Sequence, residues 1–196
     1  MRAYNEDYLQ AMCASPAADD ILVSTILFDD RIELLHGYVG LADAPELTPR
    51  NYQPRGATAL YDAVAGGLTN MVLYSEQLRQ SGITVRCVVI VYSDGDDNSS
   101  QQRPKQVKQT VRDLLRQEMY TFAYVGFLDA SQRPLGFKTG AASPVVKMAE
   151  EIGFPEALNA ALSPAELRRI FYMASQSTVM VSRGTARPNT AVFAQP

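Results

Sequence analysis

The stretch that most restricts the possible folds is residues 85–92, VRCVVIVY, which is largely apolar on both faces of an extended chain. A strand of this kind is typical of a sheet that helices cover on both sides. Residues 21–28 form a second, near-continuous apolar run. Two such strands predict an α/β fold with a mostly parallel sheet.

Segments of helical periodicity separate the predicted strands. Apolar residues recur at intervals of three and four in the segments that we predict to be helices: 1–14, 59–79, 105–118, 145–152 and 164–176. Ser163, followed by Pro164 and then by Glu166, is typical of a helix start. Two further strands are predicted at 32–41 and 120–128. The first of these is less apolar and is expected nearer an edge.

The length and charge of the chain exclude several classes of protein. Its 196 residues suit one domain, which we assign to residues 1–180, with a tail at 181–196. The longest apolar run is about eight residues, against roughly 20 needed to cross a bilayer, and no basic leader is visible. The net charge of −3 does not favour nucleic-acid binding. We therefore expect neither a membrane nor a nucleic-acid partner.

Histidine and cysteine are scarce. His36, Cys13 and Cys87 are the whole stock of nitrogen and sulfur zinc ligands, which excludes zinc-finger, HExxH and CxxC arrangements. We expect both cysteines to be buried free thiols in a reducing, cytoplasmic compartment, and His36 to be structural. Any metal chemistry must therefore use oxygen ligands.

Two loops carry such oxygen ligands at the edge of the sheet where α/β proteins bind their ligands. One is residues 54–62 (PRGATALYD), which lead into a helix, and the other is residues 93–98 (SDGDDN), which leave a strand. Each has an ordinary explanation as well. Thr58 stands where a helix N-cap belongs, and Asp62 complements the helix dipole. Asp94 opens a common turn.

The acidic loop also fits two other motifs in part. Asp94, Asp96 and Asn98 occupy positions one, three and five of a calcium-binding EF-hand loop. Ser99 and Lys105 replace the glycine and the bidentate glutamate of that loop, which excludes it. A strand that ends in DxD also resembles magnesium-dependent phosphohydrolases of the haloacid-dehalogenase type. That alternative makes Asp94 the nucleophile and Asp96 the general acid.

Taken together, three segments resemble von Willebrand factor A (VWA) domains of the bacterial type. They are FDDRIELLHGY, YQPRGATALYDAV and VVIVYSDGDDN, in this order along the chain. The resemblance covers residues 1–180 and implies a doubly wound sheet of strand order 3-2-1-4-5-6, flanked by helices. It also implies a protein-interaction module with a metal-ion-dependent adhesion site (MIDAS) rather than an enzyme.

In that family the adhesion site combines a DxSxS motif after the first strand with a threonine and an aspartate from later loops. By motif match, these two residues are Thr58 and Asp94. The resemblance implies Mg²⁺, a metal that prefers oxygen ligands. It also implies a protein partner whose acidic side chain completes the coordination shell of the metal.

The sequence departs from the family at its start, because it contains no DxSxS motif. The predicted helix at 1–14 matches the family helix that follows this motif. We therefore expect an N-terminally incomplete domain without its first strand, which the family places between 21–28 and 85–92. Thr58 and Asp94 alone then predict weak Mg²⁺ binding. Unpaired backbone groups along both strands predict low stability, with thermal unfolding below about 55 °C.

Overall fold

The computed structural model describes residues 1–93, 97–128, 143–185 and 193. Apart from the consecutive strands β1 and β2, helices and strands alternate along the described chain, with two short 3₁₀ turns. In order, the elements are α1 (π-helical over Ala3–Gln10 and α-helical over Ala11–Cys13), the 3₁₀ turn Ala18–Asp20, β1 (Leu22–Phe28), β2 (Ile32–Gly40), the 3₁₀ turn Leu41–Asp43, α2 (Leu60–Gln80), β3 (Cys87–Ser93), α3 (Pro104–Leu115), β4 (Tyr120–Leu128), α4 (Pro144–Ile152), β5 (Glu156–Ala161) and α5 (Pro164–Ser182).

The strands of the described chain form two separate sheets. β1 and β2 are an antiparallel hairpin, in which Leu22 pairs with Gly40 and Phe28 pairs with Ile32. β3, β4 and β5 are parallel, with β4 in the middle. The protein is therefore a mixed α/β protein with a three-stranded parallel sheet between helices. This arrangement confirms the α/β class and is compatible with a Rossmann-like fold.

Helices cover the parallel sheet on both faces. The side chains of β4 therefore alternate between two apolar clusters, one on each face. Phe122 and Tyr124 pack in one cluster with residues of α2, α3 and α4. Ala123 and Val125 pack in the other cluster with residues of α5. As a result, every residue of β4 from 121 to 127 is buried.

β3 is an edge strand, although it is the most apolar strand in the sequence. Val88, Val89 and Ile90 are only half-buried, in contrast to the fully buried residues of β4. β3 pairs with β4 along one edge, and β1 pairs with β2 along one edge. Within the described residues, the second edge of each strand has no strand partner. The two strands with the strongest sequence signal thus each keep one open edge.

One strand and the ends of two helices differ from those that the sequence predicts. β5 is not predicted at all, because its sequence EALNAA consists of residues with weak strand propensity. α3 ends at Leu115 rather than at 118, and Glu118 adopts a left-handed backbone with φ of 53°. α5 continues to Ser182 instead of ending near 176. No helix among the described residues has both the length and the apolar character needed to cross a membrane.

The two cysteines and the single histidine lie in the first helix and in strands β2 and β3, and the burial of one cysteine differs from the prediction. Cys87 is buried as predicted, but Cys13 is exposed, so the prediction of two buried thiols is wrong for Cys13. The reason is the helical repeat: Met12 occupies the buried face of α1, and its neighbour points elsewhere. His36 lies in β2, where its Nδ1 is 2.9 Å from the carbonyl oxygen of Gly37.

Candidate functional site

The two loops that the sequence singles out lie against each other. The residues that start α2 and the residues that follow β3 are joined by hydrogen bonds, some between the two main chains and some between main chain and side chains. We call residues 58–62 and 97–102 the loop junction. It lies beyond the carboxyl end of β3, where α/β proteins bind their ligands. Asp94 and Asp96 lie outside the described residues.

Thr58 is bound to the second loop through its backbone. Its N–H donates to Oδ1 of Asn98 over 2.8 Å. Its carbonyl oxygen accepts hydrogen bonds from the N–H groups of Asn98 at 3.0 Å and Ser99 at 3.1 Å. The side chain of Thr58 is half-buried, and its hydroxyl has no hydrogen-bond partner in the described part of the chain. Three backbone contacts therefore fix the position of a side-chain hydroxyl that accepts no hydrogen bond from any described residue.

The helix start differs from the one that the sequence suggests. α2 has Ala59 as its N-cap, with no capping side chain of its own, so Thr58 is not the cap. The first-turn N–H groups are capped from the other loop instead. The N–H of Tyr61 donates to Oδ2 of Asp97 over 3.1 Å, and the N–H of Asp62 donates to Oγ of Ser100 over 3.1 Å. These contacts satisfy donors that a helix leaves unpaired.

The carboxylate of Asp62 completes the loop junction in the reverse direction. It accepts hydrogen bonds from the N–H groups of Gln101 at 2.9 Å and Gln102 at 2.7 Å. The expected placement of Asp62 in the first turn of a helix is confirmed. Its main contact, however, is with the second loop. A single sequence offers no signal for this contact, because the partners lie about 40 positions apart and are backbone amides.

An ion pair between Arg55 and Asp29 connects the β1–β2 turn to the segment that leads into the loop junction. Nε of Arg55 lies 2.6 Å from Oδ2 of Asp29, whose Oδ1 accepts from the N–H of Arg31 at 2.8 Å. The hydrogen bond from Arg55 is the largest cause that lowers the pKa of Asp29 below its ordinary value. The carbonyl oxygen of Asp29 also accepts from the N–H of Ala59 over 2.6 Å. Asp29 therefore does more than close the tight turn that the sequence suggests.

A groove of about 390 Å³ adjoins the loop junction between the first turn of α2 and α4. The hydroxyl of Tyr61 spans this groove and donates to Oε2 of Glu151 over 2.9 Å. α4 packs closely on β4, and the absence of a side chain at Gly126 allows this, since a Cβ there would overlap the side chain of Val145. The residues that line the groove are Tyr61, Asp97, Pro144, Lys147, Met148 and Glu151.

The oxygen atoms of the region differ in whether they are free to bind a metal. The carboxylates of Asp29, Asp62 and Asp97 all accept hydrogen bonds from backbone N–H groups. No group of three His, Cys, Asp or Glu side chains that could hold a metal ion occurs in the described residues. Among the described residues the hydroxyl of Thr58 has no hydrogen-bond partner, and a hydroxyl oxygen fits the preference of Mg²⁺ for oxygen ligands. Asp94, its expected companion, is four positions before Asn98 in the loop that holds Thr58.

Fold and site together define a class: an α/β protein in which two loops join beyond the carboxyl end of a parallel strand. No protein-family model matches the chain, and a comparison with curated proteins found no match.

Proposed function

We propose that this protein is a VWA-like interaction module without enzymatic activity, in which Thr58 and Asp94 form an incomplete MIDAS. The observation that carries the proposal is the loop junction. The backbone of Thr58 makes three hydrogen bonds to Asn98 and Ser99, in the loop that also contains Asp94. This contact supports a single site built from two loops that are distant in sequence.

The chemistry of the proposed site is that of a hard, hydrated cation. Mg²⁺ prefers six oxygen ligands and keeps several waters when the protein supplies few. Thr58 would supply a neutral hydroxyl and Asp94 one carboxylate, so the bound ion would keep most of its positive charge. An acidic side chain of a protein partner can then replace a water. Two protein ligands without further carboxylates bind weakly, and we expect a millimolar or weaker dissociation constant for Mg²⁺.

Calorimetric titration with Mg²⁺ tests the proposed site. We expect weak binding to the wild-type chain and none to Asp94→Ala. Asp19→Ala removes the same charge from an exposed 3₁₀ turn and should bind as the wild type does. Micromolar binding that Asp94→Ala abolishes would contradict an incomplete site. Equal binding by all three chains would show that the metal sits elsewhere.

An enzymatic assay separates this proposal from the phosphohydrolase alternative. The test uses p-nitrophenyl phosphate with Mg²⁺, on the wild type and on Asp96→Asn. We expect no turnover above the buffer rate in either chain, because an adhesion site needs no nucleophile. Turnover that disappears in Asp96→Asn would favour the alternative in which Asp94 and Asp96 act as nucleophile and acid.

We also propose a cytoplasmic location. Both cysteines are free thiols, and neither pairs with the other although Cys13 is exposed. Free thiols are typical of a reducing compartment. Labelling of Cys13 by a membrane-impermeant thiol reagent in intact cells should therefore fail, whereas labelling after lysis should succeed.

A further inference from the structure

Three of the large apolar side chains exposed in the described part of the chain lie on one face of the molecule. Leu73 of α2 is 66% exposed, Leu34 of β2 is 52% exposed and Ile32 of β2 is 46% exposed. In β1, the residues that pair with Leu34 and Ile32 both pack under α2, so these two side chains point to the face of the hairpin that α2 covers. We call the surface formed by these three side chains, together with Tyr38 and Tyr74, the α2–β2 face.

A groove of about 380 Å³ lies between α2 and β2 on this face. The side chains of Leu34 and Leu73 line it, together with the rings of Tyr38 and Tyr74, which are stacked with centroids 4.5 Å apart. A Cβ on Gly37 would meet nothing within 4 Å, so this part of the groove is open. The α2–β2 face thus carries an exposed leucine beside a groove that a leucine side chain can enter.

The α2–β2 face carries no charge at its groove, since the described residues that line the groove are all uncharged. On α2 they include Asn70 and Gln77, which lie about one helical turn before and after Leu73. The charged side chains nearest to Leu73 along α2, Glu76 and Arg79, form an ion pair over 3.1 Å. Few charges combined with exposed apolar and aromatic side chains are typical of the centre of a protein interface.

We propose that the α2–β2 face binds the same face of a second copy of this chain, which gives a two-fold symmetric dimer. In such an interface each surface meets itself, so a projection and a groove that lie side by side on one copy match the groove and the projection of the other. Leu73 of each copy enters the groove of the other copy. An uncharged face does not repel its own copy, and it gives a charged partner nothing to pair with.

The size of the face is sufficient for a specific dimer. α2 has 21 residues and β2 has nine, so each is about 30 Å long. In the other direction, one helix and two strands cover about 20 Å. These dimensions give about 600 Å² per copy and about 1,200 Å² in total, which is the lower limit of stable interfaces. We therefore expect a dissociation constant in the micromolar range.

Sedimentation velocity, measured from low micromolar to several hundred micromolar chain, tests the dimer. We expect the wild type to pass from monomer to dimer over this range, and Leu73→Asp to raise the dissociation constant at least tenfold. Leu73→Gln adds no charge and should weaken the dimer as well, which separates the effect from an unfolding of α2. Leu162→Asp is the matched control, because Leu162 is 61% exposed and follows β5, outside the α2–β2 face. It should dimerise as the wild type does.

Cross-linking tests the two-fold arrangement. Leu73→Cys and Leu162→Cys are each made together with Cys13→Ser, because Cys13 is the exposed one of the two cysteines. We expect mild oxidation to join two copies through position 73 and not through position 162.

A wild-type chain that stays monomeric at every concentration would overturn the proposal and leave the face to a different protein. A dimer that both Leu73 variants leave intact, or equal cross-linking through the two positions, would also overturn it. Neither Thr58 nor Asp94 lines the groove, so the dimer and the metal site fail separately.

Discussion

Two tyrosines with opposite surroundings give a test at the scale of single residues. Burial raises the pKa of Tyr92 well above its ordinary value, and its hydroxyl is buried without a partner in the described part of the chain. The hydroxyl of Tyr4 is hydrogen-bonded to Thr25 over 2.7 Å. An unpaired buried hydroxyl costs about 1–3 kcal/mol, whereas a paired one stabilises by about 1 kcal/mol.

We therefore expect Tyr92→Phe to raise the free energy of unfolding by about 1 kcal/mol, and Tyr4→Phe to lower it by about the same amount. Urea unfolding of the two variants and the wild type measures both changes. The two substitutions remove the same atom, so each controls for the other. A loss of stability in Tyr92→Phe would mean that its hydroxyl has a partner in solution.

The lowered pKa of Asp29 leads us to expect that the stability of the fold depends on pH. The pKa of Asp29 is lowered in the folded chain, mainly by the hydrogen bond from Arg55. The pair therefore stabilises the fold at pH values above the unfolded pKa, about 3.9, and this contribution is lost as the pH falls through the lower folded pKa. We expect the stability advantage of the wild type over Asp29→Asn to be constant from pH 7 to 5 and to shrink below pH 4.

Urea midpoints at pH 7, 5, 4 and 3 measure that advantage. Arg55→Met should remove most of the pH dependence, because it removes the main cause of the lowered pKa. An advantage that persists unchanged at pH 3, or that grows as the pH falls, would contradict the assignment.

At the scale of elements, the start of α2 depends on a loop that lies almost 40 positions away. The carboxylate of Asp97 accepts from the N–H of Tyr61 and from Oγ of Ser100, at 3.1 and 2.5 Å. Loss of a capping side chain costs about 1–2 kcal/mol. We expect that cost for Asp97→Ala in thermal unfolding. Ser99→Ala removes an exposed hydroxyl from the same loop and should change stability by less than about 0.5 kcal/mol.

Two glycines should respond to alanine in opposite directions. A Cβ at Gly126 in β4 would overlap Val145 of α4, and overpacking costs about 1–3 kcal/mol. A Cβ at Gly66 in α2 meets nothing within 4 Å, and alanine stabilises a helix interior by about 0.5–1 kcal/mol. Calorimetric melting of both variants measures this contrast. Val145→Ala combined with Gly126→Ala should recover part of the loss, and a Gly126→Ala chain as stable as the wild type would contradict the close packing of α4.

The sequence predicts a helix or strand correctly where the local pattern of residues determines it. It does not predict a strand that forms only through pairing with a neighbouring strand. The apolar runs predict β1, β3 and β4, and Ser163 caps α5 by accepting from the N–H of Glu166 as the sequence suggests. β5 is different, since its residues become a strand only through pairing with β4. The candidate site shows the same limit. Its residue types are visible in the sequence, but the contact of Thr58 with Asn98 depends on how two distant loops meet.

At the scale of the whole molecule, helices on both faces hold two sheets that do not pair. Clusters that include residues of α2 on one face, and of α1 and α5 on the other, contain residues from β1 and from β3. Apolar packing thus supplies the connection that backbone hydrogen bonds do not. The expectation of a melting temperature below about 55 °C stays a prediction, and it follows from the two open edges.

The loop junction is also a property of the whole molecule, because it joins the segment that follows the β1–β2 hairpin to the segment that follows β3, the first strand of the parallel sheet. Thr58 belongs to the first segment, and Asp94 and Asn98 belong to the second. We propose, as the central point, that Thr58 and Asp94 together bind one metal ion weakly through their oxygen atoms.

Paramagnetic broadening by Mn²⁺, which shares the preference of Mg²⁺ for oxygen ligands, tests that claim most directly. Amide signals of the chain are recorded by NMR during a titration with Mn²⁺ up to millimolar concentration. We predict that the signals of Thr58, Asn98 and Ser99 broaden first, and that they stay sharp at the same concentrations in Asp94→Ala. Broadening that begins elsewhere, or that is identical in Asp94→Ala, would contradict the claim.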